Sequence, residues 1–145
     1  MESPARHPAG RPARGLARAA AFCVVLAAGC SPARFSLTGS ITVAPRLSHR
    51  AEQPNTVLFV VASNAAGVPV AVQRIINPSF PLTYRMRNED LVLPGPVWHG
   101  ALTIRVFVNT HGQAGVTMKG DLTGSHRATA RSGERGVDVV IDREI

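Results

Sequence analysis

Sulfur, aromatic rings and long apolar runs are all scarce in this sequence. Cysteine occurs only at positions 23 and 30, and no Cys-x-x-Cys-His is present, so the chain does not itself hold a c-type haem. Aromatic residues make up 5% of the chain, with one Trp and one Tyr, which leaves a core mainly of Val, Ile and Leu. No Cys–Trp–Cys pattern exists, which excludes a true antibody-type domain. The one segment rich in small apolar residues, Ala19 to Ala28, is too short for a bilayer, which takes roughly 20 apolar residues. No Gly-x-Ser-x-Gly elbow is found. "GDLTG" at Gly120 to Gly124 follows no phosphate-loop pattern, and no catalytic constellation emerges, so the chain is expected not to be an enzyme. No internal repeat and no helical period is visible.

What is present begins with a basic start. Arg6, Arg11, Arg14 and Arg18 face one acid, Glu2, and precede the short apolar run. Basic start, apolar centre and small-residue exit make a secretory signal peptide. The exit, Leu26-Ala27-Ala28-Gly29-Cys30, resembles the lipobox of bacterial lipoproteins, with leucine four residues before the cysteine where three is usual. That resemblance implies cleavage before Cys30 and acylation of its thiol, where each buried lipid methylene adds about 0.8 kcal/mol of membrane affinity. Ser31 after the cysteine, which is not Asp, favours the outer over the inner membrane by the family's sorting rule. The alternative is cleavage after another small residue, which leaves Cys30 free. The expected layout is a signal peptide over 1–29, a lipidated Cys and short tether over 30–35, and one domain over 36–145. Losing the signal leaves 12 basic and 8 acidic residues, a formal charge of +4 against +7 for the whole chain. The remaining basic residues are scattered singly, so nucleic acid is not an expected partner.

After the tether, the pattern has a period of two. Phe35, Leu37, Ile41 and Val43 alternate with Ser36, Thr38, Ser40 and Thr42, the mark of a half-buried strand. Pro45 to Pro54 reads as a polar loop. "TVLFVVA", Thr56 to Ala62, is a continuous run, as expected of a central strand buried on both faces. Val68 to Ile76 reads as the next strand, with Pro69 at its start. Leu82, Tyr84 and Met86 alternate with Thr83, Arg85 and Arg87. Asn88 to Gly100 is the longest loop and carries Trp98. Ala101 to Asn109 is a clear strand facing inward through Leu102, Ile104, Val106 and Val108. His111 to Gly115 reads as a turn, Val116 to Leu122 as a weak strand, Gly124 to Gly136 as polar and patternless, and Val137, Val139 and Ile141 as the last strand. About seven short strands with frequent turns predict an all-β fold, an Ig-like or prealbumin-like antiparallel β-sandwich.

Four pieces, in order, carry a further resemblance: "LTGSITVAP", "NTVLFVVA", "GVPVAVQRIINPSFPLTYRM" followed by "NEDL", and "GDLTG" with the ending "GVDVVIDREI". From Leu37 to Ile145 the chain resembles the periplasmic C-terminal domain of the cytochrome c-type biogenesis protein called CcmH, CcmI or CycH. The most specific parts are Pro69-Val-Ala-Val-Gln-Arg74, Phe80-Pro81-Leu82-Thr83-Tyr84 and Gly120-Asp121-Leu122. The resemblance implies a sandwich, an envelope location and a link to cytochrome c maturation. The family's membrane helices and helical repeat are absent, so the repeat's hold on apocytochrome is not carried over.

The resulting expectation is a non-enzymatic envelope lipoprotein without a cofactor. It is held to the membrane through Cys30 and recognises cytochrome c maturation proteins or apocytochrome, for instance by strand addition at a free edge. Candidate contacts are Asn88, Glu89, Asp90, Trp98 and His99, with capping of the core the competing and favoured role for Trp98. One alternative is a metal or small-ligand carrier, for which His99, His111 and Met118 would have to converge. Against it, His49, His99, His111 and His126 show no ligand spacing, and Met86 and Met118 sit at core-like strand positions. Another alternative is a structural envelope lipoprotein with no specific ligand.

Overall fold

A computed structural model describes residues 34–145. The expected signal peptide, with Cys23, and the expected acylation site at Cys30 lie outside the described residues. Seven strands form: β1 (Ser36–Val43), β2 (Val57–Ser63), β3 (Pro69–Ile76), β4 (Leu82–Arg87), β5 (Thr103–Asn109), β6 (Leu122–Ser125) and β7 (Val139–Glu144). They hydrogen-bond in the order β3-β2-β5-β6-β7-β1-β4. The sheet curls until its two ends face each other, so that the fold is an all-β, Ig-like sandwich closed almost to a barrel.

The core follows from the alternation. Leu37 and Ile41 of β1, Leu58 and Val60 of β2, Ile104 and Val106 of β5, Tyr84 and Met86 of β4, and Val139 and Ile141 of β7 point into one cluster and are almost wholly buried. β2 is buried on both faces, as its unbroken apolar run requires. Its outward set, Val57, Phe59 and Val61, forms a second cluster with Val72 and Phe107.

Four local readings change. β1 and β7 pair in parallel, Ile41 opposite Val139, while every other strand pair is antiparallel. The sixth strand is Leu122–Ser125 and not Val116–Leu122. Gly120 turns the chain with a φ of +99°, Asp121 ties the preceding turn, and only then does the ladder begin. A register shift falls between Thr123 and Gly124, and such a bulge bends the strand that carries it. Gly124 is needed there because a Cβ would run into the Val140 carbonyl. Third, Pro45–Ala51 coils into two short helical turns within the expected loop, and its Leu47 and Ala51, four residues apart, plug one end of the core. Met118 is also not a core residue. It is 55% exposed on a loop, unlike Met86, which is fully buried.

One cross-strand arrangement pins the terminal strands together. Gly39 lies opposite Tyr84, and a Cβ there would strike the Val137 carbonyl. With no side chain at 39, the Tyr84 ring lies across β1 and its hydroxyl donates to the Val137 carbonyl at 2.7 Å. Burial pushes the Tyr84 phenol well above its ordinary value, and the nearby Asp138 charge adds to the effect.

Candidate functional site

The loop after β4 is shaped by its own polar side chains. The Arg87 amide donates to Asp90 Oδ2 at 2.8 Å, and Asn88–Asp90 forms a single 3-10 turn. Burial raises the Asp90 carboxyl above its usual range; the hydrogen bond from the Arg87 amide opposes this, and the neighbouring Glu89 charge adds to it. Past the turn, the Val92 amide donates to the Val70 carbonyl at 3.0 Å and Leu91 bridges Ala71, so the loop closes part of the outer edge of β3.

Two of the five sequence-predicted contacts, Asn88 and Trp98, meet at Phe35. Its amide donates to Asn88 Oδ1 at 2.7 Å. Its ring packs against Trp98 with centroids 5.9 Å apart and a tilt of 56°. His99 sits edge-on to Trp98 at 4.2 Å. Trp98 is half-buried and packs on the main core, the capping role weighed for it. Asn88 and Trp98 thus clasp the residue just before β1, and Asp90 holds its own turn. Glu89 and His99 are exposed, with Glu89 3.7 Å from Arg87.

The three residues of the metal alternative are not gathered. His99 lies just before β5 and His111 just after it; six strand steps of about 3.4 Å put roughly 20 Å of β5 between them. His111 Nε2 is instead 3.2 Å from Asp121 Oδ2, which also accepts the Met118 amide at 2.7 Å. Among the described residues no group of three His, Cys, Asp or Glu is placed to hold a metal ion.

The sheet edges are also constrained. β3 and β4 end the ladder and face each other. Thr38, opposite Arg85, spends both backbone groups on the other side, on Glu134 and Val137. The Arg85 backbone groups therefore face the β3 side, as in any antiparallel pair not hydrogen-bonded to each other. There the Gln73 side chain donates to the Arg85 carbonyl at 2.9 Å, while its Oε1 is buried without a partner among the described residues. Strand addition along this seam would have to displace that bond.

Sequence reasoning missed the outward face of β3-β2-β5. Register places Arg74, Phe59 and Phe107 in one row and Val72, Val61 and Arg105 in the next. The signal was the unbroken run of β2, because a strand buried on both faces needs a cover on the second. Loop residues 110–121 supply part of it. The loop is fixed at one foot by Asn109, which accepts the Gly112 amide at 2.9 Å, and at the other by Asp121.

The sequence model of the cytochrome c-type biogenesis protein H Ig-like domain matches residues 37–142. The chain belongs to that family. Its Ig-like domains are accessory, non-catalytic parts of cytochrome c biogenesis and face the periplasm. An uncharacterized protein of Aquifex aeolicus (strain VF5) is 28% identical over 86 residues, which cover 59% of this chain and 55% of that protein. The chain therefore spans about half the length of that curated relative. Among solved structures, an alternative pilotin from the type II secretion system of Vibrio cholerae aligns at a TM-score of 0.47 and 13% identity, over 78% of this chain and 98% of that one. At that level it adds nothing to the family assignment. Among the described residues no helix is long and apolar enough to cross a membrane.

Proposed function

We propose that this protein is a lipid-anchored envelope protein whose sandwich binds a protein component or client of cytochrome c maturation. The family match over residues 37–142 is the observation that carries the reading. The lipobox-like Leu26-Ala27-Ala28-Gly29-Cys30 supports the anchor, and Ser31 supports the outer membrane. In this reading residues 1–29 are removed, Cys30 is acylated, and 36–145 is the binding domain. The loop of Asn88, Glu89, Asp90, Trp98 and His99 presents its exposed members to the partner, while Asn88 and Trp98 hold it against Phe35. No reaction is assigned and no cofactor is needed.

The test is chemical cross-linking in intact envelopes followed by affinity capture and mass spectrometry, together with haem-stained c-type cytochromes in a deletion strain. Recovery of a maturation component and a fall in haem-stained protein are expected. Normal cytochromes together with capture of no maturation component would end the proposal.

A further inference from the structure

The outward face of β3-β2-β5 holds an open groove of about 360 Å³, lined by Val61, Val72, Phe107, Pro69, Ala114 and Arg105. Its floor is apolar, and ligand sites typically span about 300–1,000 Å³. Two arginines stand on this face. The Arg105 guanidinium lies over the Phe107 ring, 5.6 Å from its centroid. Arg74 stands one register row away, beside Gly112 of the covering loop. Both are exposed, and among the described residues neither makes an ion pair. Gly67 and Gly115 border the groove with open space where a side chain would be, so the loop leaves room above the floor.

An apolar floor lined on one side by the exposed Arg105 guanidinium, with Arg74 one register row away, is complementary to one kind of occupant. An aromatic or large aliphatic side chain fills the groove, and a carboxylate within one or two residues of it meets Arg105, whose planar fork suits carboxylate geometry. We propose that this groove is a docking site for an extended peptide segment of a protein partner, with an apolar anchor next to an acidic residue. The assignment rests on the protein-binding reading above and gives that reading a second surface, separate from the loop at Phe35.

The test uses short blocked peptides as probes, Gly-Phe-Asp-Gly against Gly-Phe-Asn-Gly and Gly-Ala-Asp-Gly, with decanoate as a lipid-like probe. Backbone amide shifts are followed by NMR on the chain starting at Ser31, and a thermal melt of each variant checks its fold. The Phe-Asp peptide is expected to shift the amides of Val61, Val72, Phe107 and Gly115. Each control peptide should bind about tenfold more weakly, the scale of one lost charge-assisted or anchoring contact. Arg105→Gln should weaken the Phe-Asp peptide by a similar factor, and Ala114→Trp, at an exposed lining position, should abolish binding. Equal binding of the Asp and Asn peptides overturns the charge argument. Tighter binding of decanoate than of any peptide, or no shift at these amides, overturns the peptide assignment. These outcomes are independent of envelope capture: a groove that fails with capture intact removes this site alone, and failed capture together with normal cytochromes removes the protein-binding reading.

Discussion

Removing one oxygen atom, by Tyr84→Phe, probes how the first and last strands are held. Tyr84 is 1% exposed, and its hydroxyl donates to the carbonyl of Val137, itself fully buried. Phenylalanine keeps the ring over Gly39 and the packing, so the change isolates the hydrogen bond. The Val137 carbonyl is then left in the core with no donor. Such an orphaned buried group costs about 1–3 kcal/mol, more than the roughly 1 kcal/mol net value of an ordinary hydrogen bond. Taking about 2 kcal/mol, and about 4 °C per kcal/mol for a domain of this size, the melting temperature should fall by roughly 8 °C. Circular dichroism melts of the chain from Ser31 at neutral pH measure it. A second readout follows from the raised phenol. Above the ordinary value of 10.0 the unfolded tyrosine loses its proton while the folded one keeps it, so wild-type stability falls as the pH rises past 10. Tyr84→Phe lacks that component and should lose less stability over the same alkaline range. A melting temperature within about 2 °C of wild type, or identical alkaline limbs, would refute the role given to this hydroxyl.

Four further outcomes are expected. Gly39→Ala and Gly124→Ala each drive a Cβ into a backbone carbonyl, of Val137 and of Val140, and should cost more than about 3 kcal/mol or prevent folding, read by denaturant titration. Gln73→Leu loses the bond to Arg85 but also removes a buried, partnerless oxygen; the two terms oppose, and stability should stay within about 1 kcal/mol of wild type. Asp138, which accepts from the amide and hydroxyl of Ser40, has its carboxyl lowered first by the amide bond and then by the hydroxyl bond. Its stabilisation is complete above pH 3.8 and lost as the pH falls through the lower folded value, so Asp138→Asn should flatten the acid limb of an equilibrium-unfolding pH profile. Cys30→Ser should move the protein from the membrane to the soluble fraction and remove the acyl mass from its amino terminus.

Much of the sandwich was legible because its inward positions recur every second residue. Leu37 and Ile41, Tyr84 and Met86, and Leu102 through Val108 all fall on the faces that the alternation assigns. The sixth strand was not legible, because Thr123 and Gly124 sit at a bend where a close backbone, and not an apolar contact, selects the residue. Parallel pairing of β1 with β7 leaves no trace in a period of two. At the loop, Asn88 and Asp90 look like solvated residues in a string, and only the fold shows their oxygens committed to the amides of Phe35 and Arg87. Trp98 was legible as an outlier, and its contact with Phe35 was not, since 63 positions separate them. Arg74 and Arg105 alternate with apolar residues as exposed residues do. Their placement on one sheet face depends on a three-strand register that no local pattern encodes.

The interior position of β1 has a mechanical consequence. This strand is flanked on both sides, by β4 over six residue pairs and by β7 over three. If the domain hangs from an acyl anchor, any drag on it arrives at Phe35 and runs along the axis of β1. Such a load shears two ladders at once and cannot peel an edge strand bond by bond. The asparagine–tryptophan clasp at Phe35 takes the first increment of tension, which makes it the place where a force-spectroscopy trace from the amino terminus should show its first yield.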